Sequence, residues 1–343
     1  MLHTARRFPM RTVRRTLTAT VLASGLVLAG CSSDDSDNGS DDNTSSDSAA
    51  ASAEESEVTI ENMYGEATYN TNPETVVAIG TAVDNLLALG ITPDVIVERG
   101  DDADADWKNP QLEDVERIPV SEDFPLEEVA SHDPDLVVGD TYRIDEDTYN
   151  ELSKVTNVLP GMDKDANWEP QLQALGEIYG LEDEARQVID DDEEAFAAVR
   201  DELPGLEGKT ALTVQDRGGQ FGVIADPENI ANKFYSRLGM TLPASFTDGS
   251  LKIEGGRAQI SYERVSDLAA NFMGMYATEG MDKIRAIAGY DQLPQLESGA
   301  VVEDNKPVMA ALNIPSSLSN AWLLEQLRDQ LEIVDGEDAV EAE

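Results

Sequence analysis

The stretch Thr75-Val76-Val77-Ala78-Ile79-Gly80-Thr81-Ala82-Val83-Asp84-Asn85-Leu86-Leu87-Ala88-Leu89-Gly90, with Val95-Ile96-Val97 shortly after it, decides the fold class. Val76 to Ile79 is the continuous apolar run that a strand buried on both faces requires. Gly80 ends it. Thr81 is placed to cap a helix, and Asp84, three residues on, approximates a capping box. Val83, Leu86, Leu87 and Leu89 recur at helical spacing, and Gly90 fits the position just past a helix end. Strand, helix and strand joined by short links predict a right-handed parallel crossover.

Outward from there the same grammar repeats. Val58-Thr59-Ile60 and Ala67-Thr68-Tyr69 read as a small opening hairpin turning over Asn62 to Gly65. Downstream come a strand at Ile118-Val120, a brief helix at Pro125-Ala130, a strand at Leu136-Val138, a helix at Glu146-Leu152 and a strand near Val155-Leu159. Residues 58–163 form one lobe on this reading. Residues 164–204 form a linker, in which Leu172, Leu175, Ile178 and Tyr179, then Ala185, Val188, Ile189, Phe196 and Val199, keep a helical period. An unbroken helix of that length would rise about 54 Å, although Gly176 and Gly180 count against continuity. Pro204-Gly205 stops it.

Residues 205–334 form a second lobe that opens like the first. A strand runs from Lys209 to Val214, a loop from Gln215 to Phe221, and a helix from Ile230 to Leu238. A strand over Asn271-Tyr276, a helix around Met281-Ala288, a strand at Ala300-Val302 and a closing helix near Ser319-Leu331 follow. Residues 335–343 read as an acidic, frayed tail. The expected class is α/β, with two Rossmann-like lobes joined by a long backbone helix.

The amino-terminal end has a different character. Arg6, Arg7, Arg11, Arg14 and Arg15 precede an apolar run from Leu17 to Ala29, too short to span a bilayer, which reads as a secretory signal. Leu28-Ala29-Gly30-Cys31 resembles a bacterial lipobox. It implies a signal peptide over 1–30, lipidation at Cys31 and a membrane anchor facing the extracytoplasmic side. Residues 31–57, rich in Ser, Asp and Ala, read as a disordered tether. Cys31 is the lone cysteine, so an intramolecular disulfide framework and a cysteine-cluster metal site are excluded.

Five of the 24 basic residues precede Gly30, while all 69 acidic ones follow it. The remainder carries 24 − 5 = 19 basic residues, for a net charge near −50. Nucleic acid is excluded as a partner by charge, as is a surface lying flat on anionic lipid. Any anion bound here needs a local basic pocket.

Enzyme signatures are missing: there is no His-Glu-x-x-His, no Gly-x-Ser-x-Gly and no standard phosphate-binding glycine loop. His3 and His132 are the only histidines. His132 reads as a surface or capping residue, and no metal ligand set is expected. Scarce basic residues are more informative. Arg99, Arg143 and Arg217 each follow an apolar strand, in loops expected at the carboxyl edges of the sheets, where open α/β folds bind ligands. Each could form a salt bridge with neighbouring acid or offer a donor fork to a ligand oxygen. Trp107, Tyr142, Phe221 and Tyr276 could wall such a site or belong to the cores.

The order of these pieces resembles the periplasmic-type binding proteins of iron-siderophore, haem and vitamin B12 importers. The resemblance covers about residues 58–333. Besides the opening unit it rests on Pro125-Leu126-Glu127-Glu128-Val129-Ala130 with Asp133-Pro134-Asp135-Leu136-Val137-Val138, on Ile260-Ser261-Tyr262-Glu263-Arg264-Val265, and on the Trp322 helix. It implies a monomeric receptor without a cofactor or catalysis. Such a receptor holds a bulky chelate, most simply a ferric siderophore, between its lobes and delivers it to an ABC permease. It further implies that Arg99, Tyr142-Arg143 and Arg217-Gly218-Gly219 line the cleft, and that Glu127 and Glu263 dock the permease. Haem or cobalamin as ligand, and a non-transport adhesion role, remain as alternatives. The segment Ser266 to Tyr276 departs from the family pattern, so contacts there are open.

Overall fold

Residues 56–99, 105–120 and 124–340 are described by the computed structural model. The expected signal peptide, the lipidation site Cys31 and nearly all of the tether lie outside them. The described residues belong to one unit. It opens with β1 (Glu57–Asn62) and β2 (Gly65–Asn70), an antiparallel pair. The deciding stretch then becomes β3 (Val76–Ile79), buried at every residue, and α1 (Ala82–Ala88). β4 (Val95–Arg99), β5 (Glu116–Val120), α2 (Leu126–Ser131), β6 (Leu136–Gly139), α3 (Glu146–Leu152) and β7 (Asn157–Leu159) follow. His132 is the carboxyl-terminal cap residue of α2. The first sheet has the order β5-β4-β3-β6-β7, and all its pairings are parallel. The chain leaves β3 one way to β4 and β5, then returns to build β6 and β7 on the other side. The strand order therefore reverses between β3 and β6, where the carboxyl ends of an open sheet leave a crevice.

The linker is two helices. α4 (Trp168–Tyr179) ends at Gly180, whose φ of 62° is left-handed, and α5 (Glu182–Glu202) starts two residues later. Gly180 thus acts as a helix stop, and one continuous rod is ruled out. α4 buries Trp168, Leu172, Leu175 and Ile178 in the first lobe. α5 rises about 31 Å over its 21 residues. Its first turns place Ala185, Val188 and Ile189 against the first-lobe core, and its last turns put Phe196 and Val199 into the second.

The second lobe departs from the expected crossover opening. β8 (Ala211–Asp216) turns through Arg217-Gly218-Gly219 directly into β9 (Gln220–Ile224), an antiparallel partner. Gly218 and Gly219 take φ of 66° and 105°, which a side chain would oppose. α6 (Ile230–Arg237), β10 (Ile253–Glu254), β11 (Arg257–Ser261), a 3-10 segment Tyr262–Leu268 and β12 (Phe272–Ala277) come next. α7 (Asp282–Arg285) is only four residues long, and α8 (Pro294–Ser298) precedes β13 (Val301–Glu303). The sheet order is β10-β11-β9-β8-β12-β13. α9 (Lys306–Asn313), α10 (Ser317–Gln326) and α11 (Arg328–Asp335) close the chain. The expected single closing helix is the last two of these. The tail is docked rather than frayed through Val340: Asn271 donates to the Asp338 carbonyl at 2.9 Å and accepts the Val340 N–H at 3.2 Å.

α10 is a second tie between the lobes. Leu318 packs on the first-lobe core, and Leu323, Leu324 and Leu327 pack in the second. Asp192, in the middle of α5, accepts from Asn320 of α10 at 3.1 Å and pairs with Arg237 of α6 at 2.7 Å. Burial raises the Asp192 carboxyl above its ordinary 3.8, against the pull of Arg237 and its hydrogen bonds. The folded state therefore holds this proton more tightly than the unfolded chain. Its contribution to stability falls as pH rises from 3.8 through the raised value. Asp192→Asn removes that dependence. Its stability relative to the parent should improve steadily across this window in urea melts, and a constant difference would contradict the assignment.

Candidate functional site

Two walls are brought together at the lobe junction. The first is the crevice between β3 and β6. Gly80, with φ of 66°, brings its backbone so close to Asp140 that an added Cβ would fall 1.9 Å from Oδ2. The Asp140 carboxylate accepts the Thr81 N–H at 2.9 Å and the Tyr142 N–H at 2.8 Å. One buried acid therefore pins the Thr141-Tyr142-Arg143 loop to the end of β3. Thr141 anchors the loop further by donating to the Asp163 carbonyl at 2.6 Å. Tyr142 emerges from it 51% exposed. Burial, then the nearby Asp140 and Asp165, push its phenol up, while Arg257 opposes them.

The second wall is one face of the second sheet. Tyr276, Gln215, Gly222 and Gln259 are direct cross-strand neighbours on β12, β8, β9 and β11. Side chains alternate along a strand. Val214, Phe221, Val223, Ala258 and Ile260 therefore occupy the opposite face, in the second-lobe core. Arg217 folds back from the hairpin turn over Gly222, where an added Cβ would meet its Nε at 3.0 Å, and donates to Gln215 Oε1 at 3.1 Å. Arg257 starts β11 on this same face. It is half-buried, and burial together with the like charge of Arg217 pushes its guanidinium down, while Tyr142 supports it. Tyr142 and Arg257 each act on the other's ionisation, which puts the two walls within electrostatic reach of one another.

Acid is abundant, yet neither arginine is matched by it. Arg117, Arg237, Arg264, Arg285 and Arg328 each meet a carboxylate within 4 Å. Among the described residues, Arg217 and Arg257 meet none, which leaves most of their donors for a ligand.

The junction is closed at its floor by a buried polar knot. Asp84 of α1 pairs with Lys108 at 3.0 Å, the two side chains being 1% and 9% exposed. It also accepts from Trp107 Nε1 and, at 3.0 Å, from Ser316 Oγ at the start of α10. Asn85 accepts from Ser317 at 3.2 Å, and Trp107 lies 5.3 Å from Trp322 of α10. Gly80, Asp140, Arg143, Lys108, Asn313 and Ile314 line a cavity of about 130 Å³ here. Two larger cavities lie elsewhere. One of about 480 Å³ at the amino end of β8, bounded by Asn232, Tyr235 and Met240, holds no arginine. One of about 720 Å³ beside the Tyr262–Leu268 segment holds Arg264, which Asp267 neutralises. Unmatched positive charge therefore favours the junction as the site.

The sequence-expected residues divide accordingly. Tyr142, Arg143 and Arg217 reach the junction, whereas Tyr276 lies on the same sheet face but packs against the second-lobe core. Trp107 also reaches the junction, packed at the floor against Asp84 and Trp322. Phe221 does not: it is fully buried in the second-lobe core, 5.0 Å from Tyr262, because the hairpin turns its side chain to the inner face. Arg99 ends β4 and is exposed. Asp84 caps nothing on α1, since it is occupied by Lys108 and Trp107. Glu127 and Glu263 are both exposed. Glu127 opens α2, which follows β5, and Glu263 follows β11, so both stand at carboxyl edges of their sheets. Arg257 and Gln259 join the site without having been expected there, as does the Gln215 side chain; the hairpin signal in Arg217-Gly218-Gly219 sets their register. Among the described residues no cluster of metal-ligating side chains occurs, and no helix is long and apolar enough to cross a membrane.

A two-lobed α/β frame with long connecting helices and a polar junction is the architecture of a substrate-binding transport protein. Residues 76–306 match the family described as periplasmic binding protein, and the chain belongs to that family. The iron-uptake system-binding protein of Bacillus subtilis (strain 168) is 20% identical over 200 residues, 57% of this chain and 61% of that relative. PiaA of Streptococcus pneumoniae TIGR4, solved in complex with ferrichrome, superposes with a TM-score of 0.65 at 19% identity, over 81% of this chain and 98% of that one. SirA of Staphylococcus aureus, complexed with staphyloferrin B, gives 0.67 at 18% identity, over 80% and 98%. The family is one of receptors, not enzymes.

Proposed function

We propose that this chain is the extracytoplasmic receptor of an ABC importer, lipid-anchored at Cys31, which captures a ferric siderophore at the lobe junction. The observation that carries the reading is the polar β8-β9-β11 face, which lies within electrostatic reach of Tyr142 and whose two arginines meet no carboxylate among the described residues. The cavity of about 130 Å³ is small for a chelate, since small-molecule sites usually hold roughly 300–1,000 Å³. The ligand therefore rests above this floor, between the exposed walls. Iron arrives already coordinated, so the protein supplies donors and a shaped surface rather than metal ligands.

Glu127 and Glu263 then serve as permease contacts, projecting from the two lobes on the edges that bear the cleft. Exposed charges of this kind set encounter and register more than ligand affinity. In the Glu127→Ala/Glu263→Ala double variant, tryptophan quenching by the ferric chelate should keep its midpoint within about twofold, while uptake by cells with the cognate permease falls about tenfold or more. Loss of chelate binding in the double variant, or undiminished uptake, would refute the docking role. Saturable quenching of the parent by no ferric chelate would refute the receptor reading itself.

A further inference from the structure

We propose that the chelate is anionic, built from carboxylate or catecholate donors, and that Arg217 and Arg257 select it over neutral hydroxamate chelates. This rests on the reading of the junction as a ferric-siderophore site and narrows it.

The argument starts from cost. In a chain with a formal net charge of −45, positive side chains find carboxylates easily, and most described arginines do. Arg257 is half-buried beside a second guanidinium and has no carboxylate partner among the described residues, an arrangement that burial and like charge both penalise. Its neighbours on the face are glutamines: Gln259 lies two residues along β11, and Gln215 holds one donor of Arg217. Gly222 supplies no side chain between them, which lets Arg217 lie flat along the sheet toward Arg257. Two forks with free donors on one face match a ligand that presents several negatively charged oxygens.

The first-lobe wall is mixed: Asp140, Asp163 and Asp165 act on Tyr142, and Arg143 lies beside Asp140. The charged face of an anionic chelate therefore turns toward the two arginines of the second lobe. A neutral hydroxamate complex has no such preference and leaves the arginine pair uncompensated.

The test is a fluorescence titration of the full chain with three ferric complexes: a hexadentate tris-catecholate, citrate and a tris-hydroxamate. The parent should bind at least one of the first two about 100-fold more tightly than the hydroxamate. Which of the two is preferred separates the catecholate source from the carboxylate source. Arg257→Gln should weaken the preferred complex about 10–100-fold, as expected for a lost charge-assisted contact, and leave the hydroxamate unchanged. Arg257→Lys should recover part of the loss. Arg217→Gln, at an exposed turn, provides a second reading independent of folding, and the midpoint of thermal unfolding checks both variants. Tighter hydroxamate binding, or indifference of the anionic complexes to both substitutions, would overturn the proposal while leaving the ferric-siderophore reading in place. Binding of none of the three would overturn both.

Discussion

Asp84→Ala is expected to lower the unfolding free energy by about 3–5 kcal/mol, because it strands Lys108 as a buried, unpaired charge. At a few degrees per kcal/mol, the midpoint should fall by on the order of 10 °C. The effect is larger than that of a surface ion pair for two reasons. Both side chains are almost entirely out of water, and the same carboxylate also takes hydrogen bonds from Trp107 and Ser316. Ser316 stands 232 residues away, at the start of α10, so removing Asp84 loosens the tie between the lobes as well as the first-lobe floor. A buried pair is not in itself a net gain over apolar residues of similar size. Asp84→Leu combined with Lys108→Met should therefore recover much of the loss. Thermal and urea unfolding check both. A single-variant loss below about 1 kcal/mol would mean that the knot does not hold the junction.

Gly80→Ala is expected to cost about 3 kcal/mol, and to disturb the binding wall more than the fold. The backbone there is left-handed, and the new methyl would overlap Asp140 Oδ2. Relief requires Asp140 to move, which releases the Thr81 and Tyr142 amides that it holds. The Tyr142-Arg143 loop then loses its fixed position. Gly180→Ala is the instructive control: it too has a positive φ, but an added Cβ meets nothing within 4 Å. It should cost only the backbone strain, about 1 kcal/mol, and leave chelate affinity unchanged. Equal affinity losses in the two variants would show that Asp140 does not organise the wall.

How much of this was legible in the chain follows from where each feature is encoded. β3, α1 and β4 announce themselves because their apolar runs and glycine stops are contiguous. Composition flags the helix break at Gly180, but only the packing shows that α4 serves the first-lobe core alone while α5 runs on from that core into the second. The β9 half of the β8-β9 hairpin reads as loop in the sequence, and that reading puts Phe221 at the site instead of in the core. In a strand, one residue of register decides between the core face and the exposed face. Arg257 was invisible for a related reason. It begins a strand rather than following one, and it joins Arg217 only through the pairing of β9 with β11. The Asp84 knot joins α1 to a serine near the other end of the chain, and no local pattern reports such a contact.

The central claim is that a ferric chelate sits at the lobe junction, between the Tyr142 loop and the Arg217–Arg257 face. Anomalous diffraction at the iron edge, from crystals of the chain grown with its preferred ferric complex, tests it most directly. The account predicts a single iron peak between those two walls, above the Asp84 floor, with ligand oxygens on Arg217 and Arg257. An iron peak in the cavity by Tyr235 and Met240, or on the outer surface with the junction unchanged, would contradict it.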